Sequence, residues 1–384
     1  MLKFYFLNVG HGSSTVVSYT DPEGRRSFGV VDSNKKGGET PPALRCLQRL
    51  GANDLAFIAL THPHADHYKG MGQIMDHYSG RISHAFSFPI DRDVRRLRKW
   101  AGSYSELAEN TVNEELLQEF EELLRIVHGF HQMGDSWEPL SNLGARLHVD
   151  AMQAVNITLL LPPSSVKGEF FASILSGQSA YKQDRDNRLS LAIRFEYAGR
   201  TIVLGGDGTY DNWMYIRQRT NRNGTTGEAG ISADIVNLPH HGSRRDADPL
   251  ILDYLFGSHT TGRAGRQNED PIDQNDRIAI VSADGRSHPH GDVLRHIGAR
   301  GVRPFCTNLS KVCSPAQPMP NVACHGIEQV LERFVASAAI PTSRPATCQG
   351  DICVSISTDG TVSVDRQFNV ACAFRGELDF LATQ

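Results

Sequence analysis

The chain has 384 residues, 40% hydrophobic and 21% charged, with a formal net charge of −4. That length allows one large domain or two ordinary ones, with a core large enough to fold without disulfides or metals. The near-neutral balance excludes a basic nucleic-acid coat and an acidic tail, and no run of 18 apolar residues is present to cross a membrane.

Residues 2–9, 14–19 and 27–32 read as strands, with Asp21–Gly24 supplying the turn between the last two. The N-terminal stretch lacks a signal-peptide pattern, which points to a cytoplasmic protein. Residues 41–50 read as a helix that starts on proline and places Leu44, Leu47 and Leu50 on one face. The run LAFIALTH (55–62) is typical of a buried strand, so the loop after it is expected to carry function. Residues 104–129 are expected to be helical, with Leu116, Phe120, Leu123, Leu124 and Val127 at three- and four-residue spacing. The basic segment before it, from Arg92 to Lys99, is either a solvated helix face or a phosphate-attracting patch beside a cleft.

A second strand-rich half follows. Residues 156–161, 189–196 and 200–205 read as strands, the last two joined by the turn Tyr197–Arg200. Residues 235–243 and 277–285 are apolar runs ending in polar motifs, with helices expected at 246–256 and 290–299. Strands alternating with helices in two similar halves predict an α/β architecture of the αβ/βα sandwich type. Residues 219–230 and 257–276 look like linkers.

Histidine and cysteine are placed unevenly. Of 16 histidines, His62, His64, His67, His240, His241, His288 and His290 fall in three short motifs. The decisive one is Thr61-His62-Pro63-His64-Ala65-Asp66-His67, directly after the buried strand. Imidazole and carboxylate are the usual non-thiolate ligands of zinc and similar ions. His-x-His puts two rings on one side of an extended segment, and Asp-His follows within reach of a second ion.

This is the HxHxDH signature of the metallo-β-lactamase superfamily. The wider chain resembles one branch of it, the hydrolase domain of the competence protein ComEC. The matching segments are LNVGHGSS (7–14), GVVDSN (29–34), THPHADHYKG (61–70), NRLSLAIRF (187–195), VLGGDGT (203–209), LPHHGS (238–243) and SHPHGDVL (287–294). The resemblance implies a metal-dependent hydrolase domain over residues 1–305, using two divalent ions (Zn²⁺ or Mn²⁺), with one strongly bound ion as the alternative. His62 and His64 would hold one ion, Asp66 and His67 the other, and Asp207 would bridge them. One of His240 and His241 would complete the second ion; His240 is preferred because it follows the strand directly, leaving His241 for substrate. His290 is expected to face the cleft and steady developing charge, alongside Asp66 and Asp207 as catalytic carboxylates. His288 and Ser243 are expected near substrate, although Ser243 also suits a helix cap. Asp32 matches an acidic position of the family and would orient a histidine through its ring N–H.

Two departures stand out. Acidic positions of the family's opening motif are Asn8 and Ser13 here, so the surroundings of the first ion differ or His11 adds a contact. The further histidine ligand common in the superfamily has only His77, His84, His128, His131 and His148 as candidates, none in a motif.

Cysteines mark a C-terminal extension, residues 306–384. It contains Cys306, Cys313, Cys324, Cys348, Cys353 and Cys372, and 352–364 reads as a β-hairpin with an Asp-Gly turn. A structural Zn²⁺ on these thiols, buried free thiols and disulfides all remain open. The extension also offers a surface for a protein partner.

The expected reaction is hydrolysis by a water that the ions acidify, with a phosphodiester or nucleic acid as the favoured substrate. The alternatives are a small lactone, thioester or cyclic nucleotide, or a non-catalytic metal-binding subunit of a regulatory or defence complex. No membrane role is expected.

Overall fold

The computed structural model describes residues 1–35, 38–90, 114–175, 186–222, 231–257, 277–283, 288–308 and 348–367. The first half runs β1 (Leu2–Phe6), β2 (Ser14–Thr20), β3 (Arg26–Ser33), α1 (Pro42–Leu50), β4 (Leu55–Leu60), α2 (Ala65–Tyr68), α3 (Met71–His77), β5 (Ile82–Ser87), α4 (Glu114–Gln132) and β6 (Trp137–Pro139). The second half runs β7 (Asn156–Leu161), α5 (Ser164–Leu175), β8 (Ala192–Tyr197), β9 (Arg200–Leu204), α6 (Tyr210–Arg222), β10 (Ile235–Asn237), α7 (Pro249–Phe256), β11 (Ile278–Val281), α8 (Gly291–Gly298) and β12 (Arg303–Cys306). A terminal hairpin, β13 (Ile352–Ile356) and β14 (Val362–Arg366), follows.

These strands form two sheets, ordered β14-β13-β1-β2-β3-β4-β5-β6 and β12-β11-β10-β9-β8-β7. Strands β3 to β6 run parallel, as do β9 to β12. The continuous apolar runs in the sequence have a simple cause, because each parallel strand is covered on both faces. Along β11, Ile278 and Ile280 enter a central core between the sheets, whereas Ala279 and Val281 point into an outer core. In β3 and β4, Val31 and Phe57 point inward, and Val30 and Ile58 point outward. The outer core of the first sheet is closed by α1, α3 and α4 through Leu47, Ile74 and Phe130. The outer core of the second is closed by α6, α7 and α8 through Trp213, Leu252 and Leu294. The layers are therefore helix, sheet, sheet, helix: the αβ/βα sandwich expected. Burying one such Leu, Ile or Phe contributes about 1.5–3 kcal/mol, so the three cores dominate stability.

Local chemistry sets the ends of the elements. Pro42 opens α1, and Gly51 closes it in the left-handed conformation at φ 70°. The strand read over 2–9 stops at Phe6, because Gly10 (φ 74°) and Gly12 (φ 99°) turn the chain toward the site. Helix α7 starts at Pro249, with Asp248 accepting from the Leu250 N–H; Ser243 is not its cap. The helix read over 104–129 is present as α4; residues before 114, including the basic segment 92–99, lie outside the described residues. The strands β5, β6 and β12 and the helices α3, α5 and α6 were not anticipated. β5 (ISHAFS) and α6 (YDNWMYIRQRTNR) mix polar residues into both faces, which dilutes the periodic signal.

The C-terminal hairpin is joined to β1 antiparallel from Leu2↔Ile356 to Phe6↔Ile352. Ile352, Val354 and Ile356 are fully buried in the central core. Among the described residues, no helix is long and apolar enough to cross a membrane.

Candidate metal centre

The motif residues gather where the parallel strands end, the edge at which α/β sheets carry their sites. Asp32 lies one residue before the end of β3; Thr61 and His62 follow β4; Asp207 follows β9; His240 and His241 follow β10. The two sheets are tied there by the Leu191 N–H donating to Thr61 O at 3.0 Å.

Two groups of ligand atoms result, each with members within 4.8 Å of one another: His62, His64 and Asp207, and Asp66, His67 and His241. Asp207 stands between them. Its Oδ2 is 3.6 Å from His62 Nε2, and its Oδ1 is 3.3 Å from His67 Nε2 and 3.8 Å from His241 Nε2. Asp66 Oδ2 is 3.8 Å from His67 Nε2 and 3.6 Å from His241 Nε2. Most of these separations are too long for hydrogen bonds. They suit atoms that share an ion, since two ligands each about 2.0–2.2 Å from a metal stand about 3–4 Å apart. The Nε2 atoms of His62, His64, His67 and His241 are buried without a hydrogen-bond partner. Leaving each so would cost about 1–3 kcal/mol; a cation satisfies all of them, so the residues fit the metal that the motif implies.

Hydrogen bonds behind the rings decide which nitrogen faces the centre. Thr61 Oγ1 donates its only proton to Asp32 Oδ2 at 2.8 Å, so it accepts from His62 Nδ1 at 3.0 Å. His67 Nδ1 donates to Asp32 Oδ2 at 2.7 Å. Asp32 also accepts from the Thr61 N–H at 2.8 Å. Both rings therefore carry their proton at the back and present Nε2 to the centre. This is the orienting role expected of Asp32.

The second motif loop differs from expectation. His240, His241 and Gly242 are all left-handed, at φ 45°, 56° and 78°. Non-glycine residues adopt that region rarely, at about 1–3 kcal/mol each. The turn brings buried His241, rather than His240, into the group with Asp66 and His67. His240 Nδ1 donates to Asp246 Oδ2 at 2.6 Å, and its Nε2 lies 3.7 Å from Asp207 Oδ2, the oxygen that also faces His62.

Charge is concentrated and balanced. Burial pushes Asp207 up, but His67, His241 and His62 hold it well below the ordinary carboxylate range; Asp66 behaves likewise through His67, His11 and His241. Burial, reinforced by His67, drives His62 well below the ordinary imidazole value. For His67, burial is outweighed by Asp207, Asp32 and Asp66, which raise it well above that value. His240 is pushed up to about 9, because Asp207 and Asp246 overcome its burial.

Other expected residues fall around this centre. His11 Nε2 lies 3.1 Å from Asp66 Oδ2 on a mostly exposed side chain. The backbone of its loop clamps the motif, with Ser13 N–H donating to Asp66 O at 3.1 Å. A Cβ on Gly12 would meet that oxygen at 2.0 Å, so only glycine fits there. His288 lies beside the paired histidines, its ring tilted and 5.8 Å from that of His240 and 6.4 Å from that of His241. His290 caps α8, its Nδ1 accepting from the Asp292 N–H at 3.2 Å, and joins neither ligand group. Ser243 donates to Asp246 at 3.4 Å. The sequence reading missed Asp186, a buried carboxylate whose Oδ2 is 3.9 Å from His64 Nε2, and Asp246. Asp186 precedes the NRLSL motif by one residue, the signal that could have found it. Of the histidines weighed as a further ligand, none of His77, His84, His128, His131 and His148 joins either group.

Among the described residues no cysteine belongs to a group with metal-ligand spacing, and no disulfide joins Cys46, Cys306, Cys348 and Cys353 to one another. Cys313, Cys324 and Cys372 lie outside the described residues.

No family model matches this sequence, and no curated protein matches it. Solved structures overlap it in part. Zn²⁺-bound PqqB from Methylobacterium extorquens is 13% identical, with 80% of this chain and 98% of that one covered at a TM-score of 0.36. Unliganded yeast PDE1 is 10% identical, with 80% and 98% covered at 0.39. The metallo-β-lactamase fold protein YhfI from Bacillus subtilis is 12% identical, with 79% and 95% covered at 0.35. Overlaps this low bear on neither ligand nor activity. The layer order rests on the packing described above, and the metal site on its own geometry.

Proposed function

We propose that this protein is a cytoplasmic metal-dependent hydrolase that cleaves phosphodiesters, as a phosphodiesterase or nuclease. The observation that carries the proposal is the pair of ligand groups with Asp207 in one and beside the other, and with four buried imidazole nitrogens that lack a hydrogen-bond partner. His62, His64 and Asp207 would hold one ion, with His240 as a further nitrogen beside it; Asp66, His67 and His241 would hold the other. Bound there, Zn²⁺ or Mn²⁺ supplies a Lewis acid for a phosphoryl oxygen and lowers the pKa of water. The chain's own residues do the positioning. Asp32 and Thr61 fix the rings of His62 and His67, and Asp246 fixes that of His240. In neutral His290, Nδ1 accepts the Asp292 N–H, so the ring proton sits on Nε2 as a donor for developing charge. Arg244, exposed beside the paired histidines and 3.3 Å from Asp292, is a cation that an anionic substrate could engage. The ComEC resemblance points the same way and rests on the motifs alone.

The test is metal analysis of the purified chain, followed by DNA and RNA nicking and bis(p-nitrophenyl) phosphate hydrolysis with Zn²⁺ or Mn²⁺. Wild type is expected to bind metal and turn over at least one of these substrates, with Asp207→Ala losing about a thousandfold in rate or more. A chain that binds no metal, or activity unchanged in Asp207→Ala, would falsify the assignment.

A further inference from the structure

Away from the metal centre, α1 and the C-terminal hairpin border a cavity of about 270 Å³. Arg45 and Arg49 line one side; four residues apart, they share a face of α1. Asn8, Asp351 and Gln367 line the other, and Cys46 lies at its buried base. The hydrogen bonds already made determine what the walls still offer. Asn8 Oδ1 accepts from the Gly10 N–H at 3.1 Å, and Gln367 Oε1 accepts from the Asp351 N–H at 3.1 Å. Both amides thus turn their NH₂ groups to other uses. Asp351 Oδ1 accepts from the Asn8 N–H at 2.8 Å, which leaves Oδ2 as the acceptor. Burial pushes the Cys46 thiol up to about 11, so the base of the cavity is neutral. Arg45 donates one Nη1–H to Thr40 O and keeps its other guanidinium donors, so two guanidiniums, one carboxylate and two amides line the same cavity.

We infer that this cavity binds a small phosphorylated ligand, its phosphate held by Arg45 and Arg49 and a hydroxyl of its remainder taken by Asp351. Guanidinium forks match phosphate oxygens in pairs. The volume lies near the lower end for small-molecule pockets and suits a metabolite-sized ligand, not a polymer. The site also touches the catalytic apparatus through the chain itself. Asn8 begins the loop whose Ser13 N–H bonds Asp66 O and whose His11 lies 3.1 Å from the Asp66 carboxylate. Occupancy of the cavity therefore bears on the segment that steadies Asp66. The inference is independent of the reaction proposed above.

The test is hydrogen–deuterium exchange on the metal-loaded full chain, titrated with inorganic phosphate at constant ionic strength. Phosphate is expected to slow exchange in residues 42–50 and 8–13 of the wild type. R45Q/R49Q weakens that response about tenfold or more, while protection arising at residues 61–68 from phosphate at the metal centre persists. A wild-type response that is absent or confined to 61–68 overturns the inference, as does a response at 42–50 unchanged in R45Q/R49Q. If the double variant does not fold, R49Q alone is read the same way.

Discussion

In the loop after β4, His67 sits in a short right-handed helix and is braced by Asp32 from the adjacent strand. In the loop after β10, His240 is braced by Asp246 from the same loop, and three successive residues are left-handed. Both arrangements present a ring Nε2 toward Asp207 with a carboxylate behind the ring. They differ in where the conformational demand falls. The first keeps its histidine on ordinary right-handed backbone and places the left-handed residue in the distant acid, Asp32, at φ 56°. The second holds non-glycine residues in a sparsely populated region, which persists only because the surrounding bonds over-determine it.

The comparison can be broken most directly by removing the paired histidines one at a time. His241→Ala is expected to strip the ion of the Asp66 group, and with it about a hundredfold or more of activity. His240→Ala is expected to retain that ion, with a loss nearer tenfold. Elemental analysis with kinetics decides, and the reverse order would return the ligand role to His240.

The carboxylates sharpen it next. Asp32→Asn and Asp246→Asn are each expected to weaken metal binding about 10–100-fold, but only the second alters its pH dependence through His240. In the metal-free protein the folded His240 ring titrates near 9, above an unfolded value of about 6.5. The stabilisation from its pairing is thus complete below about 6.5 and fades as pH rises through about 9. A metal needs the deprotonated ring, so affinity is expected to climb over the same window. In Asp246→Asn the climb shifts to lower pH. Dye-competition titrations between pH 6 and 9.5 measure this, and a profile identical to wild type would detach His240 from the ion.

The smallest effect tests the strained turn itself. Gly242→Ala places a Cβ 2.9 Å from Pro289 Cβ at φ 78°, and is expected to cost about 1–3 kcal/mol. Thermal unfolding of the metal-free chain reads it. A smaller change would mean that the turn is held less tightly than its bonds suggest.

The same contrast explains what was legible in the sequence. In HxHxDH, an extended step followed by right-handed turns converts spacing into direction, so His62, His64, Asp66 and His67 could be grouped from their order alone. In Pro239–Ser243 the left-handed run rotates successive side chains in a way that spacing does not encode, so the order of His240 and His241 could not tell which of them groups with Asp66 and His67. Asp186 and Asp246 act through space on rings far from them in the motif pattern, so composition offered little to find them. The layered fold was readable because strands buried on both faces must be apolar throughout, as in LAFIAL and IAIV. Helices such as α6, polar over much of their surface, left too weak a rhythm.

The pairing of β1 with β13 gives the chain an unusual timetable. Asn8 and Asp351, hydrogen-bonded at 2.8 Å, are 343 positions apart. As the polypeptide emerges from the ribosome, one edge of β1 waits, unpaired, until β13 has been made. Such an edge is a template for wrong partners during that interval, and contacts of this separation form slowly. The loop that meets Asp66 through the Ser13 N–H begins at the end of that same strand, so its anchor is a strand whose second neighbour arrives late.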